Sequence, residues 1–142
     1  IENIDFDFFG YKQKQPLWAD SFLETINDYD MGLNLSRGKP IKYYSSDRIV
    51  QIIGNGLLCF INKKTEIDKL IPANCAVFYK DTNDLVKKIH FYKENSTQMK
   101  AIAKRGMNFY NKNYNSTIVS QFILDQTLKL KNKFKYIWYK KN

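Results

Sequence analysis

Short apolar runs alternate along this chain with segments whose apolar residues recur every three or four positions, which is the pattern of strands joined by crossover helices. The run "IDFDFF" (4–9) reads as a strand closed by a turn at Gly10. In "DSFLETINDY" (20–29), Phe22, Leu23 and Ile26 share one helical face behind an Asp20 or Ser21 cap. "MGLNLS" (31–36) is the next strand. "SSDRIVQIIGNG" (45–56) predicts a helix capped by Ser45 or Ser46, burying Ile49, Ile52 and Ile53 and stopped at Gly54 or Gly56. "LLCFI" (57–61) and "CAVFY" (75–79) are apolar throughout, as strands covered on both faces must be, with a weak helical turn in "TEIDKLI" (65–71) between them. Beyond residue 80 the pattern is helical. "DTNDLVKKIHFYKEN" (81–95) opens with a cap and an acidic first turn, and "STQMKAIAKRGMNFYNKN" (96–113) carries Met99, Ile102, Ala103 and Met107 on one stripe. "STIVSQFILDQTLKL" (116–130) is a third helix. The expected fold class is α/β: a Rossmann-like three-layer domain with a mostly parallel sheet of four to six strands, ending in a helical run.

A length of 142 residues suits one domain able to bury roughly two thirds of its unfolded surface. With 44% hydrophobic and 15% aromatic residues the chain is too apolar for a disordered segment. No internal repeat or low-complexity linker divides it, so residues 1–125 are expected to form the domain and 126–142 a basic aromatic C-terminal helix or tail. The opening "IENIDFDFFG" lacks an initiator Met and reads as part of something longer.

Charge changes the picture. Twenty-three Lys and Arg against fourteen Asp and Glu give a formal +9, which favours phosphate-bearing ligands, nucleic acid or an anionic membrane surface. Cys59 and Cys75 sit in apolar runs without metal-ligand spacing, so buried reduced thiols are expected and no metal site is. With no signal-peptide pattern, the Asn-x-Ser/Thr matches at Asn34, Asn95 and Asn115 read as incidental, and a cytoplasmic setting is expected. Gln51, Asn55 and Asn62 interrupt the best candidate for a membrane span.

The densest chemistry lies in "SRGKPIKYYSSDRIVQIIGNG" (36–56). In an open parallel sheet, ligands bind beyond the carboxyl ends of the strands, and this stretch leaves a predicted strand and enters a helix there. A helix N-terminus offers unpaired N–H groups and about half a positive charge, which suits phosphate oxygens. Arg37, Lys39, Lys42 and Arg48 add positive charge within twelve residues, Gly38 admits close backbone approach and Pro40 stiffens it. Arg48 and Gln51, three apart, face the same way. The arrangement suits a diphosphate beside a hydroxylated group; the competing reading is a solvated basic loop. "GNG" ends a helix rather than opening one, so it is a C-cap and not a dinucleotide fingerprint. Asp47 reads as a first-turn carboxylate on the helix dipole, and His90, the single histidine, as a solvent-facing helix residue.

The order of these motifs resembles the C-terminal half of a GT-B glycosyltransferase of the glycosyl transferases group 1 set that includes spore-maturation-type proteins. The resemblance rests on the Asn-Leu-Ser strand, the Arg-containing helix ending in Gly, an apolar strand, a "VFY" strand, then Asp-Leu and Ala-x-x-Gly helices, and spans roughly residues 4–125. It implies one of two Rossmann-like halves: the one that binds a nucleotide-diphosphate sugar as donor substrate, with no further cofactor, opposite an N-terminal acceptor half that supplies the remaining groups. On this resemblance Arg48 stands near the donor phosphates, with Arg37, Lys42 and the Ser45 and Ser46 N–H groups completing the diphosphate site. Gln51 takes the place of a glutamate that bonds the ribose, Tyr43 that of a second glutamate eight residues earlier, and Gly10 that of a glycine turn near the nucleotide. The catalytic residues are left unassigned. The implied activity is sugar transfer to a glycan, lipid or protein in cell-surface polysaccharide synthesis; the two missing carboxylates also fit a non-catalytic nucleotide-sugar-binding domain.

The C-terminal "KLKNKFKYIWYKKN" interleaves lysines with Phe134, Tyr136, Ile137, Trp138 and Tyr139. Two readings stand: peripheral contact with the inner face of a membrane, or docking on the acceptor half. A basic nucleic-acid-binding module is the alternative function class, but no RNP, KH or helix-turn-helix pattern is present, and no nucleic-acid partner is expected.

Overall fold

A computed structural model describes residues 4–11, 13–36 and 38–139. The α/β architecture is as expected. Strands β1 (Met31–Asn34), β2 (Leu58–Asn62) and β3 (Val77–Tyr79) form one parallel sheet in the order β1-β2-β3, with Met31 opposite Leu58 and Phe60 opposite Val77. Helix α1 (Ala19–Ile26) precedes β1, α2 (Asp47–Gly54) crosses from β1 to β2, and two short 3-10 turns (Lys63–Thr65 and Ile67–Lys69) lead toward β3. Helices α3 (Thr82–Glu94), α4 (Ser96–Asn113) and α5 (Ser116–Thr127) follow. Among the described residues no helix is long and apolar enough to cross a membrane.

The sheet has three strands, not the four to six expected. The difference lies in residues 4–9, which form no strand. Alternating Asp and Phe gave them a strand-like period, but Phe6 and Phe9 remain exposed, so pairing them on the sheet edge would bury too little apolar surface to offset the ordering of the chain. What anchors the segment is a side chain: the Asp7 carboxylate accepts from the Tyr29 hydroxyl and from Lys14, both at 2.9 Å. Those contacts hold the Asp7 carboxyl below its ordinary pKa.

The sheet is covered on both faces because β2 alternates within an entirely apolar run. Cys59 and Ile61 join Ile26 of α1 and Ile49, Ile52 and Ile53 of α2 on one side; Leu58 and Phe60 join Leu85 of α3 and Met99, Ile102 and Ala103 of α4 on the other. Leu23 is the exception to the predicted α1 face, pointing to solvent while Phe22 and Ile26 pack inward. Both cysteines are free and buried, and burial alone pushes the Cys59 thiol up to about 12. Helix α4 reaches both clusters, its first half through Met99 and Ala103, its second through Phe109 and Tyr110. Close passage depends on Gly106: a Cβ there would stand 2.3 Å from the Cys75 carbonyl oxygen.

After α5 the chain folds back on the helix around Asp125, a carboxylate only 2% exposed. One oxygen accepts from Gln121 (2.8 Å), the other from the Lys133 N–H (2.8 Å) and the Tyr136 hydroxyl (2.6 Å), while the Asp125 carbonyl accepts from the Leu130 N–H (2.8 Å). Tyr136, followed by Lys133 and Gln121, holds the Asp125 carboxyl below its ordinary pKa. Burial, reinforced by that carboxylate, pushes Tyr136 up to about 12. The return seats Trp138 on Tyr114 in a stacked pair with centroids 5.1 Å apart.

Two outcomes follow from this packing. Gly106→Ala gains the roughly 1 kcal/mol by which Ala is the better helix former, but the backbone carbonyl of Cys75 cannot rotate out of the way. Net destabilisation of about 2 kcal/mol is expected, read as a fall of roughly 5–8 °C in Tm. Second, because the Asp125 pKa is lower in the folded chain than in the unfolded one, its contribution is complete above the ordinary value of 3.8 and is lost as pH falls through the depressed value. Trp138 fluorescence in a Trp18→Phe background is therefore expected to change in that acid window, and Asp125→Asn to give the acid signal already at neutral pH.

Candidate functional site

Because all three strands are parallel, their carboxyl ends, Asn34, Asn62 and Tyr79, lie along one edge. The loop 35–46 leaves this edge from β1 and returns as α2. Ser46 is the N-cap of α2, with extended backbone at φ −113° and ψ 166°, yet its side chain makes no capping bond. Its hydroxyl instead donates to the Asn34 Oδ1 at 3.4 Å. The Ile49 N–H donates to the Ser46 carbonyl at 3.0 Å, and the N–H groups of Asp47 and Arg48, which no carbonyl within the helix can reach, are left without a side-chain cap.

Asn34 is the unusual member of this arrangement. It is 2% exposed, and its amide Nδ2 has no hydrogen-bond partner. A buried unpaired amide donor costs about 1–3 kcal/mol, so a group of this kind is ordinarily satisfied. The Ser46 contact places the Asn34 amide beside the start of α2.

The predicted site residues divide into three groups. Lys42, Tyr43, Ser45, Ser46 and Arg48 stand together on the loop and the first turn of α2. Tyr43 adopts φ +57°, and its N–H donates to the Thr65 carbonyl at 2.7 Å, tying this loop to the segment after β2. Arg48 donates one guanidinium N–H to the Leu35 carbonyl at 2.5 Å, fastening the exit of β1 to α2 while its other donors remain on the exposed side. Lys42 lies over the Tyr43 ring, 5.2 Å from its centroid, and pairs with Glu66 at 3.3 Å. Glu66, which also pairs with Lys69, is held below its ordinary pKa chiefly by Lys69 and then by Lys42. Gln51 sits one turn further along α2, half-buried, its carbonyl accepting from Asn55.

Gly10 is apart from these residues. It has φ +72°, and its contacts run to Gln15, through a 3.3 Å N–H bond, and to Pro16. Through Asp7 that segment is attached to Tyr29, before the amino end of β1 and away from its carboxyl end. Arg37 lies outside the described residues. Asn34 and Glu66 escaped sequence reasoning. The available signal for Asn34 was a lone amide at the carboxyl end of an otherwise apolar strand; for Glu66, twenty residues or more from the loop it neutralises, the sequence carries none.

Beside the loop a cavity of about 80 Å³ is lined by Ser45, Ile49, Ile67, Leu70, Tyr110 and Tyr114, among others. It is apolar, and the Tyr114 hydroxyl facing this region is already committed to the Leu70 carbonyl at 3.1 Å.

A parallel edge, a basic loop and an uncapped helix start after β1 recur in many α/β domains, and the geometry alone does not choose among them. The sequence matches the glycosyl transferase-like family over residues 2–125, most of the chain. The chain belongs to the glycosyl transferase-like family. Neither the curated proteins nor the solved structures returned a match. The match takes in the whole β1–α2–β2 unit, so the basic loop and the Asn34–Ser46 pair belong to the glycosyltransferase-type domain.

In this glycosyl transferase-like domain the unpaired amide is expected to lower stability in the absence of ligand. Asn34→Val removes the orphan donor and frees Ser46 to cap α2, at the cost of a slightly larger side chain. A gain of about 1 kcal/mol, read as a Tm several degrees higher than wild type, is the expected result of thermal melting.

Proposed function

We propose that this domain binds the nucleotide-diphosphate sugar of a glycosyltransferase, as the donor half of a GT-B-type enzyme whose acceptor half supplies the other catalytic groups. The observation that carries the reading is the buried, unpartnered Asn34 amide beside the uncapped start of α2. In this reading the amide and the Asp47 and Arg48 N–H groups are donors to one acceptor, a phosphate oxygen.

In this reading the diphosphate lies across the start of α2, taking hydrogen bonds from its first N–H groups and from Asn34, with the free side of the Arg48 guanidinium and Lys42 as counter-charges. Sugar transfer breaks the bond between the anomeric carbon and the terminal phosphate oxygen, and negative charge grows on that oxygen. Donors fixed in place before the bond breaks stabilise the growing charge without reorganising, which is the principal means by which such a site accelerates transfer. Glu66 partly neutralises Lys42 at rest, so bound diphosphate competes with Glu66 for this ammonium. Gln51, on the same helix, takes the nucleoside side, where an amide pairs with ribose hydroxyls through neutral hydrogen bonds. The acceptor is a surface glycan, lipid or protein in this proposal.

Thermal shift and titration with UDP, GDP and dTDP test the proposal, because a ligand that binds only the folded state raises Tm with concentration. Arg48→Ala is expected to weaken the preferred nucleoside diphosphate by roughly ten- to a hundredfold, the worth of a charge-assisted hydrogen bond, while leaving the ligand-free Tm within a few degrees. Asn34→Val is expected to weaken it comparably without loss of stability. Undiminished binding in both variants would refute the assignment.

A further inference from the structure

We infer that the return after α5 is a docking surface for an anionic lipid bilayer. This goes beyond the donor site and does not depend on it. The segment is not a loose tail: the N–H groups of Leu130 and Lys133 and the Tyr136 hydroxyl all converge on Asp125, so residues 128–136 are folded against the end of α5 in a fixed shape. What that shape turns outward is apolar. Leu128 is 60% exposed and Leu130 52%, beside Ile123, Leu124 and Phe134, also exposed. Interleaved with them are Lys129, Lys131, Lys133 and Lys135, all exposed, and no acidic residue occurs from Gln126 to the end of the chain. The one carboxylate in the fold-back, Asp125, is buried and consumed by its three partners, leaving the surface uniformly cationic.

Composition selects the occupant. The cores of interfaces between proteins are depleted of lysine, because its strongly hydrated ammonium is costly to desolvate. A bilayer surface takes both components at once: leucine and aromatic side chains enter the boundary between head groups and acyl chains, while lysine stems let ammonium groups remain among anionic phosphates. Tyr136 is buried against Phe122, and Trp138 is half-buried on Tyr114, so these two aromatic residues form the platform beneath the surface while Phe134 stays exposed on it.

The test is sedimentation of the full chain with vesicles of phosphatidylcholine alone and of two parts phosphatidylcholine to one part phosphatidylglycerol. Preferential binding to the anionic vesicles is expected, falling steeply with salt. Each lysine near such a surface contributes roughly fivefold, so the quadruple variant K129Q/K131Q/K133Q/K135Q is expected to lose on the order of a hundredfold or more in partitioning. Leu128→Ser combined with Leu130→Ser is expected to lose about tenfold at unchanged charge. Circular dichroism melting of both variants alongside wild type separates loss of binding from loss of fold. Equal partitioning of wild type to both vesicles, or of the quadruple variant and wild type to anionic ones, overturns the proposal. So does an unchanged leucine variant. Binding of single-stranded oligonucleotide through the same lysines without vesicle binding would make the surface a nucleic-acid one, and leucine-dependent self-association without vesicle binding would make it a contact between proteins.

Discussion

Complete burial of β2 on both faces is the constraint from which the rest of the domain follows. Leu58, Cys59, Phe60 and Ile61 are each at most 1% exposed. A fully buried Leu, Ile or Phe side chain contributes about 1.5–3 kcal/mol, so a strand with no solvent face forces helices onto both sides. Its parallel pairing with β1 and β3 then puts all three strand ends, and the loops that carry the polar chemistry, on a single edge. The basic loop is a site candidate because the apolar strand behind it leaves it nowhere else to go.

At that edge two local rules are broken together. A serine in the N-cap position leaves its helix uncapped, and a buried asparagine leaves its amide unpaired. Either alone would be a small defect. Side by side they are what the proposed donor site requires: donors that cost stability without an acceptor and recover it with one. Both lie within the stretch that matches the glycosyl transferase-like family.

Most of the fold was legible in the sequence because its elements rest on period and composition. The buried face of α2, the stripe of α4 and the two apolar strands appear where the pattern puts them, since each is decided by burial. Residues 4–9 were misread because alternation reports a possible strand face and not whether a partner surface exists; the Asp7–Tyr29 bond that places them spans 22 positions and has no sequence period. The same limit applies at the site. Lys42, Ser46 and Arg48 were visible as a local cluster, whereas Asn34 and Glu66 matter only through contacts that the folded chain creates. Gly10 was carried to the site by analogy of motif order, and its contacts lie elsewhere.

Helix α4 gives the site edge its dynamics. Helix α4 has side chains against both core clusters, and α2 packs on β1, β2 and α4, so α2 is fixed to the body of the domain. The loop 35–46 is then a short span strung between rigid points: the end of β1, the Tyr43–Thr65 backbone bond, and the start of α2. Its excursions break the Arg48–Leu35 and Lys42–Glu66 contacts, both solvent-facing, and disturb no core side chain. The contacts that hold this span are therefore surface hydrogen bonds, of the kind that open at the low end of a protein's local unfolding energies, whereas β2 is held by buried side chains on both faces.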